Sequence, residues 1–388
     1  MRTIKVLQMI DRPFLGGGQM VLLSIARGLD REKFAVAACS RAGGPLVEEL
    51  GKASIPHFAV PLGKTSGLRT VRAVADILRR QAIDVLHTHG GVAGLYGRWA
   101  ARRAKTPVVV HTVHGIHYLH YRNPILKRVL IGLERRLGRT TDAVVFVSEA
   151  DLVRARSLRL APAYRIRLIR NGVDILPEPS PWRLEALRKE LGIDPDEIVV
   201  GAVSRLHRQK GIAYLIETAG RILERFPRTR FLVAGGGPLE ASLSRMVRER
   251  GFDRAVRLLG ERSDANELLA LFDIFVLPSL WEGLPLVLIE AAGLAKPIVA
   301  ADIEGVREVV RDGGTGLLVP AGDAEALAGA VLRILEDRAL GRKLGERARI
   351  EIPRAFSRPR MIAETQALYL ELFHGNSHSS RKNYPRVL

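Results

Sequence analysis

Two glutamates eight positions apart are the residues of this sequence best suited to bind a polar ligand. Glu282 lies in a Gly/Pro turn, and Glu290 lies in the apolar segment that follows. Pro285 suits the first position of a helix, because its φ is fixed and its missing N–H would be unpaired there. Since the amino end of a helix favours an anion, the spacing indicates a ligand with hydroxyls at both ends and phosphates between them. Solvated carboxylates beside an ordinary strand-loop-helix remain the alternative.

A basic loop is the second candidate. Arg205 and Lys210 are five residues apart, between a predicted strand ending near Ser204 and a predicted helix. Both cations could face a diphosphate that gains negative charge as a sugar bond breaks, where a fixed donor contributes roughly 2.7–4 kcal/mol. A solvated basic loop would have the same sequence.

Glycines and histidines follow strands in the first half. Gly16, Gly17 and Gly18 follow the first strand and open a helix, which lets the backbone approach a phosphate or sugar closely. The G-x-G-x-x-G dinucleotide spacing is absent. Four histidines recur at every third residue from 111 to 120, and this period fits neither a strand face nor a helix stripe, so a metal site is not favoured. His114 is instead expected at the carboxyl end of a strand.

Length and composition limit the possible number of domains, the metal chemistry and the location of the protein. The chain has 388 residues, which exceeds what one core usually serves and predicts two domains. Cys39 is its one cysteine, so disulfides and thiolate metal clusters are excluded and a reducing cytoplasm is expected. The first apolar run is too short for a signal peptide, and no run approaches the roughly 20 residues that cross a bilayer.

The positive charge is concentrated in the first half. Residues 1–175 hold 29 Lys and Arg against 12 Asp and Glu, whereas residues 176–388 hold 31 against 29. Such asymmetry indicates a polyanionic partner, either an anionic membrane surface or nucleic acid, with a solvated surface as the alternative. Residues 121–139 combine helically spaced apolar side chains with basic neighbours, which is typical of an interfacial helix. Most of its leucines are expected to pack on the domain's own sheet.

Short β-branched runs alternate with helical patterns along the whole chain, which predicts βα units and parallel sheets. Strands are expected near residues 4–10, 35–40, 84–87, 107–113, 143–147 and 166–169, then near 197–204, 231–235, 255–259, 274–277, 298–301 and 317–319. The turn and proline density of residues 171–181 is that of a linker. We therefore predict domains over 1–175 and 176–357, with strand carboxyl ends facing a shared cleft. A helix over 358–374, expected to cross back to the first domain, and a disordered tail over 375–388 follow.

Taken together, these motifs resemble the retaining glycosyltransferases of the GT-B fold, in glycosyltransferase family 4 (glycosyl transferases group 1). The resemblance spans almost the whole chain. It includes the glycine loop, His114-Gly115, residues 171–174, residues 204–211, Pro278-Ser279, the E-x7-E segment and residues 312–320. It implies an α/β fold of two Rossmann-like doubly wound parallel-sheet domains, the first binding the acceptor and the second a nucleotide-sugar.

The resemblance also implies a role for each residue. Glu290 would hold the ribose hydroxyls and Glu282 the transferred sugar, while Arg205 and Lys210 would bind the diphosphate. Gly16, Gly17 and Gly18 would close on the diphosphate, and His114 would contact the donor sugar. The backbone at Arg262 would read the nucleobase. The candidate catalytic residues are His114, Arg205, Lys210 and Glu282; the remaining donor-binding positions are Gly283, Leu284, Pro285 and Leu286.

The expected reaction is transfer of a sugar with retained configuration onto a glycan or lipid-linked acceptor in cell-envelope polysaccharide, lipopolysaccharide or glycolipid assembly. Neither metal nor cofactor is expected, because two cations and a helix amino end can neutralise the leaving group. A UDP-sugar is favoured over GDP- or ADP-sugars, and a cytoplasmic location, with peripheral contact to the inner membrane, is expected. The alternatives are a nucleotide-sugar epimerase or hydrolase of similar fold and, supported by charge alone, a basic nucleic-acid-binding protein.

Overall fold

The computed structural model describes residues 2–63, 66–175 and 177–378, the last three as backbone only. The chain divides into two compact units. Unit 1 comprises the described residues up to Gly172 together with those from Arg358 onward, and unit 2 comprises those from Val173 to Ser357.

Unit 1 is built on a parallel sheet. Its strands are β1 (Ile4–Met9), β2 (Phe34–Ser40), β3 (His57–Ala59), β4 (Val85–His89), β5 (Val108–Val113), β6 (Ala143–Phe146) and β7 (Ile166–Leu168). Helices α1 (Gly17–Gly28), α2 (Pro45–Lys52), α3 (Gly67–Arg80), α4 (Gly91–Ala104), α5 (Pro124–Gly138) and α6 (Glu149–Ser157) connect them. The strand order β3-β2-β1-β4-β5-β6-β7 reverses direction between β1 and β4, which makes this position the topological switch point.

Unit 2 repeats the scheme. Its strands are β8 (Ile198–Val203), β9 (Thr229–Ala234), β10 (Val256–Leu258), β11 (Ile274–Leu277), β12 (Ile298–Ala301) and β13 (Leu317–Val319). Its helices are α7 (Pro181–Glu190), α8 (Ile212–Arg225), α9 (Glu240–Glu249), α10 (Ala265–Leu271), α11 (Leu286–Gly293), α12 (Glu304–Arg307), α13 (Ala324–Glu336) and α14 (Arg338–Ala355). The order β10-β9-β8-β11-β12-β13 places the switch point between β8 and β11.

The predicted parallel α/β fold is confirmed, with differences at particular elements. Strand β3 was not predicted, because three partly exposed residues at the sheet edge carry no periodic pattern. The last helix, α15 (Arg358–His378), continues four residues past the predicted end. The rest of the predicted disordered tail, residues 379–388, lies outside the described residues.

Helix α5 departs from the expected packing. Leu137 is buried, but Ile125, Leu126 and Val129 are 70%, 43% and 59% exposed. The amino-terminal half of this amphipathic helix therefore presents its apolar residues to solvent, and the prediction that most of the stripe packs on the sheet is wrong for that half. In the described residues, no helix is long and apolar enough to cross a membrane.

The β8–α8 connection depends on a glycine. Gly211 has φ +64°, and a Cβ there would collide with the carbonyl oxygen of Pro278, in the loop after β11. Glycine at this position therefore lets the two switch-point loops of unit 2 approach each other closely.

We expect Gly211→Ala to lower the free energy of unfolding more than Gly192→Ala does. Gly192 has φ +60°, and a Cβ added there would have no neighbouring atom within 4 Å, so this variant measures the left-handed backbone cost alone, about 1–2 kcal/mol. Gly211→Ala adds the steric clash with Pro278. Urea unfolding compares the two variants, and equal losses would show that the contact does not constrain the loops.

Candidate functional site

The switch point of unit 2 brings two loops together. Residues Arg208–Lys210 form a single 3-10 turn after β8, and Gln209 within it is buried. The Gln209 side-chain amide donates to the carbonyl oxygen of Trp281 at 2.8 Å, and the Gln209 backbone carbonyl accepts from the N–H of Leu280 at 2.7 Å. The loop after β8 is therefore fixed to the loop that carries Glu282.

Lys210 and Glu282 form an ion pair at this junction. Nζ of Lys210 lies 2.5 Å from Oε1 of Glu282, and the two side chains are only 15% and 7% exposed. Oε1 also accepts from Ser279 Oγ at 2.7 Å, and Oε2 accepts from Gln209 Nε2 at 3.2 Å. A carboxylate removed from water is normally satisfied in this way, by a cation and additional donors. Sequence reasoning assigned the two residues separate ligands and did not anticipate that they contact each other.

Arg205 lies on the same loop and is exposed. Between the two cations, His207 accepts from the N–H of Gln209 at 3.3 Å through Nδ1. Partial burial and the charges of Arg205 and Lys210 lower the pKa of His207. The loop therefore presents positive charge from Arg205 and Lys210 beside a neutral imidazole.

Glu290 lies on α11, and its environment differs from that of Glu282. Burial raises the pKa of Glu290 to about 6. Within the described residues its carboxylate makes no hydrogen bond or ion pair, so an acceptor of two or more hydrogen bonds is available to a ligand. Pro285 is the N-cap of α11 rather than its first helical residue, because its ψ of 101° is extended. The helix still begins between the two glutamates, with Leu286 as its first residue.

The other predicted donor-binding positions of unit 2 lie in the loop before α11 or after the edge strand β10. Gly283 and Leu284 are buried in the loop before α11, and the start of α12 packs against the carbonyl oxygens of that loop. The guanidinium of Arg262, after β10, donates twice to Asp264, at 2.8 and 2.6 Å, and once to Glu190, at 2.9 Å. These carboxylates raise the pKa of Arg262 and fix its side chain, which leaves the backbone for any contact with a base.

In unit 1 the structure brings the glycine loop and His114 together. Gly16 is the N-cap of α1, Gly17 and Gly18 begin the helix, and a Cβ on Gly18 would lie 3.2 Å from Cδ2 of His114. Strand β5 continues to Val113, so His114 follows it directly. A side chain larger than hydrogen at residue 18 would press on the imidazole, and glycine there lets α1 approach it.

A second histidine, His89, contacts the imidazole of His114. Nε2 of His114 lies 3.0 Å from Nδ1 of His89, and the two rings stack with centroids 5.3 Å apart. Nδ1 of His114 is buried, and no group among the described residues forms a hydrogen bond with it. Burial, with a smaller effect of His117, lowers the pKa of His114 to about 4. The imidazole is therefore neutral near pH 7.

Among the described residues, no group of three or more His, Cys, Asp or Glu side chains is placed to hold a metal ion. The last two of the four histidines spaced three residues apart lie in a 3-10 turn, His117–His120, and are exposed. This spacing fits neither a strand face nor a helix stripe. Asp194 and Asp196 lie in the turn before β8 and face Arg228.

Sequence reasoning missed Gln209, whose type carries no distinctive signal; Ser279 could have been found as the polar residue between β11 and Glu282.

Two parallel-sheet α/β units with polar side chains at their switch points match the fold class predicted for a GT-B glycosyltransferase. The sequence matches glycosyltransferase family 4 over residues 15–175 and glycosyl transferases group 1 over residues 184–351. The chain belongs to this family.

The chain is similar to other proteins over most of their length. Over 379 residues the chain is 29% identical to the UDP-Gal:alpha-D-GlcNAc-diphosphoundecaprenol alpha-1,3-galactosyltransferase of Escherichia coli, covering 95% of this chain and 97% of that protein. It is 32% identical over 313 residues to the alpha-maltose-1-phosphate synthase of Mycolicibacterium smegmatis, covering 74% and 79%. The crystal structure of Anabaena HepE in complex with UDP-glucose has a TM-score of 0.83 at 24% identity, covering 95% and 99%.

We expect Glu290→Gln to stabilise the ligand-free protein at pH 8. Because the folded-state pKa is raised from 4.5 to about 6, the carboxyl group costs stability as the pH rises through this range, and the full cost of about 2 kcal/mol persists above it. The amide avoids this cost, so the advantage of the variant should shrink towards pH 4.5. Urea unfolding of the variant and the wild type at pH 5 and pH 8 measures this difference in stability.

Glu224→Gln, at an exposed position of α8, controls for the loss of one negative charge. A stability gain for Glu290→Gln that is absent at pH 8, or that grows as the pH falls, would contradict the burial of a carboxylate at residue 290.

Proposed function

We propose that the protein transfers a sugar from a nucleotide-sugar to a glycan or lipid-linked acceptor in the assembly of cell-envelope polysaccharide, lipopolysaccharide or other glycolipid. The observation that carries this proposal is the cluster at the switch point of unit 2. There the Lys210–Glu282 pair and the Glu290 carboxylate lie on either side of the start of α11. Ligands of open parallel sheets bind outside the strand carboxyl ends at such a point.

Each part of a nucleotide-sugar has a matching group in this cluster. Glu290, with no protein partner in the described residues, accepts from the two ribose hydroxyls. The amino end of α11, where the first N–H groups of a helix lack an intrahelical acceptor, faces the diphosphate. Lys210 has three N–H donors, so it can bind a phosphate oxygen while it remains paired with Glu282. Arg205 supplies a second positive charge, and the backbone at Arg262 contacts the base.

Transfer proceeds with retention at the anomeric carbon, by a front-face path in which the leaving diphosphate helps to deprotonate the acceptor hydroxyl. The contacts of Glu282 support this path, because Lys210, Ser279 and Gln209 occupy both of its oxygens and weaken it as a nucleophile. Two cations and a helix amino end stabilise the leaving group without a metal ion. Glu282 then orients Lys210 and contacts the hydroxyls of the sugar.

Relatives support the substrate classes. The Escherichia coli relative is by name a UDP-galactose enzyme that acts on a diphosphoundecaprenol-linked sugar, and the HepE structure holds UDP-glucose. We therefore favour UDP as the nucleotide and a polyprenyl diphosphate-linked sugar as the acceptor, which unit 1 binds. Such an acceptor is anionic and anchored in a membrane, and a basic unit 1 complements both properties.

The exposed part of α5, together with the residues just before it, is the proposed membrane-contacting surface. Tyr121, Ile125 and Val129 are 43%, 70% and 59% exposed, beside the exposed cations Arg122 and Arg128. Apolar side chains can enter the acyl boundary while each neighbouring cation contributes about 1 kcal/mol at an anionic surface. Attachment is then peripheral, reversible and sensitive to salt.

We expect Arg205→Ala to lower sugar transfer from its UDP-sugar donor by about 10²–10³, because one fixed positive charge is lost from the leaving group. Arg208→Ala removes the same charge from an exposed position of the same loop and should retain most activity. A chelator should leave transfer unchanged. Product analysis by mass spectrometry, with NMR of the new linkage, measures rate and configuration.

Unaltered turnover in Arg205→Ala, loss of activity with the chelator, or an inverted linkage would each contradict the proposed mechanism. Donor consumption without acceptor, giving an epimer or free sugar as the main product, would favour the epimerase or hydrolase instead.

We expect the protein to sediment with vesicles of anionic lipid at low salt and to be released at high salt, since exposed charges are screened. The double variant Ile125→Glu/Val129→Glu should lose this binding. Ile350→Glu, at a 55% exposed position of α14, is the matched control and should bind like the wild type. Failure of the wild type to sediment, or equal binding by the double variant, would remove the membrane contact from the account.

A further inference from the structure

A chain of buried hydrogen bonds joins His114 to the last helix. From His114, the bonds pass through His89 (3.0 Å) to Gln8 on β1 (2.8 Å) and then to the hydroxyl of Tyr369 on α15 (2.8 Å). They continue from Tyr369 to His87 (2.5 Å) and from His87 to Thr112 (2.7 Å). Apart from His114, every side chain in this series is buried.

The Gln8 amide fixes the direction of donation. Its nitrogen donates to the Tyr369 oxygen, so its carbonyl oxygen accepts from Nε2 of His89. A neutral His89 that carries its proton on Nε2 has a lone pair on Nδ1, and this lone pair accepts from Nε2 of His114. On the other side of Gln8, the Tyr369 hydroxyl donates to Nδ1 of His87.

This order of donors and acceptors requires the imidazoles to be neutral, and their burial keeps them neutral. Burial lowers the pKa of His87 and of His89 well below the ordinary value, and it lowers that of His114 to about 4. With its proton on Nε2, His114 keeps a lone pair on Nδ1. That atom is buried and has no hydrogen-bond partner in the part of the chain that the structure describes, and its imidazole lies against Gly18.

We propose that Gln8, His89 and Tyr369 are positioning residues that hold His114 as the Nε2–H tautomer, so that its Nδ1 accepts a hydrogen bond from a ligand hydroxyl. That the hydroxyl belongs to a sugar substrate rests on the proposed function; the tautomer does not. The site then selects a ligand group that can donate. A fluorine or hydrogen in place of that hydroxyl leaves Nδ1 unpaired and buried, which disfavours the analogue.

Helix α15 orients the amide of Gln8 in addition to packing within unit 1. Tyr369 is fully buried, and its ring packs edge-on to Phe34 of β2 with centroids 6.0 Å apart. Its hydroxyl both accepts from Gln8 and donates to His87, so it keeps the amide of Gln8 in one orientation. Without that hydroxyl the amide can rotate, and His89 and His114 can exchange donor and acceptor roles.

Histidine ¹⁵N and ¹³C chemical shifts of the labelled full chain test the inference, because the two tautomers differ in both. The spectrum of His114→Gln assigns the His114 signals. In the ligand-free wild type at pH 7.5 we expect His114 to carry its proton on Nε2. Tyr369→Phe should populate both tautomers and lower kcat/KM for transfer about tenfold. Thr365→Val, which removes a buried hydroxyl of α15 bonded only within the helix, should change neither.

A wild-type His114 protonated on Nδ1 or on both nitrogens would overturn the inference, as would an unchanged tautomer ratio in Tyr369→Phe. Gln8→Met removes the central pair of hydrogen bonds at similar volume and serves as the second variant if Tyr369→Phe does not fold. Absence of transfer by the wild type, with His114 in the expected tautomer, would remove the proposed function and leave the positioning chain intact.

Discussion

The ion pair between Lys210 and Glu282 is the interaction on which the candidate donor site depends. Its two side chains are largely removed from water, and removing one partner of such a pair typically costs about 3–5 kcal/mol. Ser279 and Gln209 satisfy the carboxylate further, and Gln209 also binds the loop that carries it. The pair therefore fixes the loops after β8 and β11 relative to each other before any ligand arrives. Charged groups that are already in position can stabilise a leaving group without first rearranging.

The two units use opposite electrostatic solutions at corresponding places of their sheets. In unit 2 a buried charge pair and a carboxylate without a partner in the described residues lie where the strand order reverses. In unit 1 the polar groups are neutral imidazoles, hydroxyls and an amide joined in one series. A neutral network avoids the cost of burying charge but requires a partner for every buried donor and every buried acceptor. Within the described residues, Nδ1 of His114 is an acceptor without a donor, which is why the ligand is inferred there.

Much of the fold was predictable from sequence because its signal is local. Apolar strands alternating with helical patterns predicted every described strand except β3, whose three residues lie at an exposed edge. Glu282, Glu290, Lys210 and the glycine loop were proposed as site residues because turn residues and charged residues follow buried strands. The GT-B class came from the order of these motifs along the chain, and the family matches confirm it.

The contacts that were not predictable join residues far apart in sequence. Lys210 and Glu282 are 72 positions apart, and Gln8 and Tyr369 are 361 apart. No periodicity or spacing connects such residues, because their proximity is set by sheet order and helix docking. The exposure of Ile125 and Val129 was missed for a related reason: an apolar stripe predicts a buried face but does not identify what covers it.

Hydrogen–deuterium exchange of the full chain, with saturating UDP, GDP or ADP and without nucleotide, measures whether the switch point of unit 2 binds a nucleotide. We expect one of these nucleotides, UDP first, to slow exchange of the amides over residues 204–212 and 282–290, where Lys210, Glu282 and Glu290 lie. Protection confined to residues 2–172, or unchanged exchange in both segments with all three nucleotides, would contradict a nucleotide site at the switch point of unit 2.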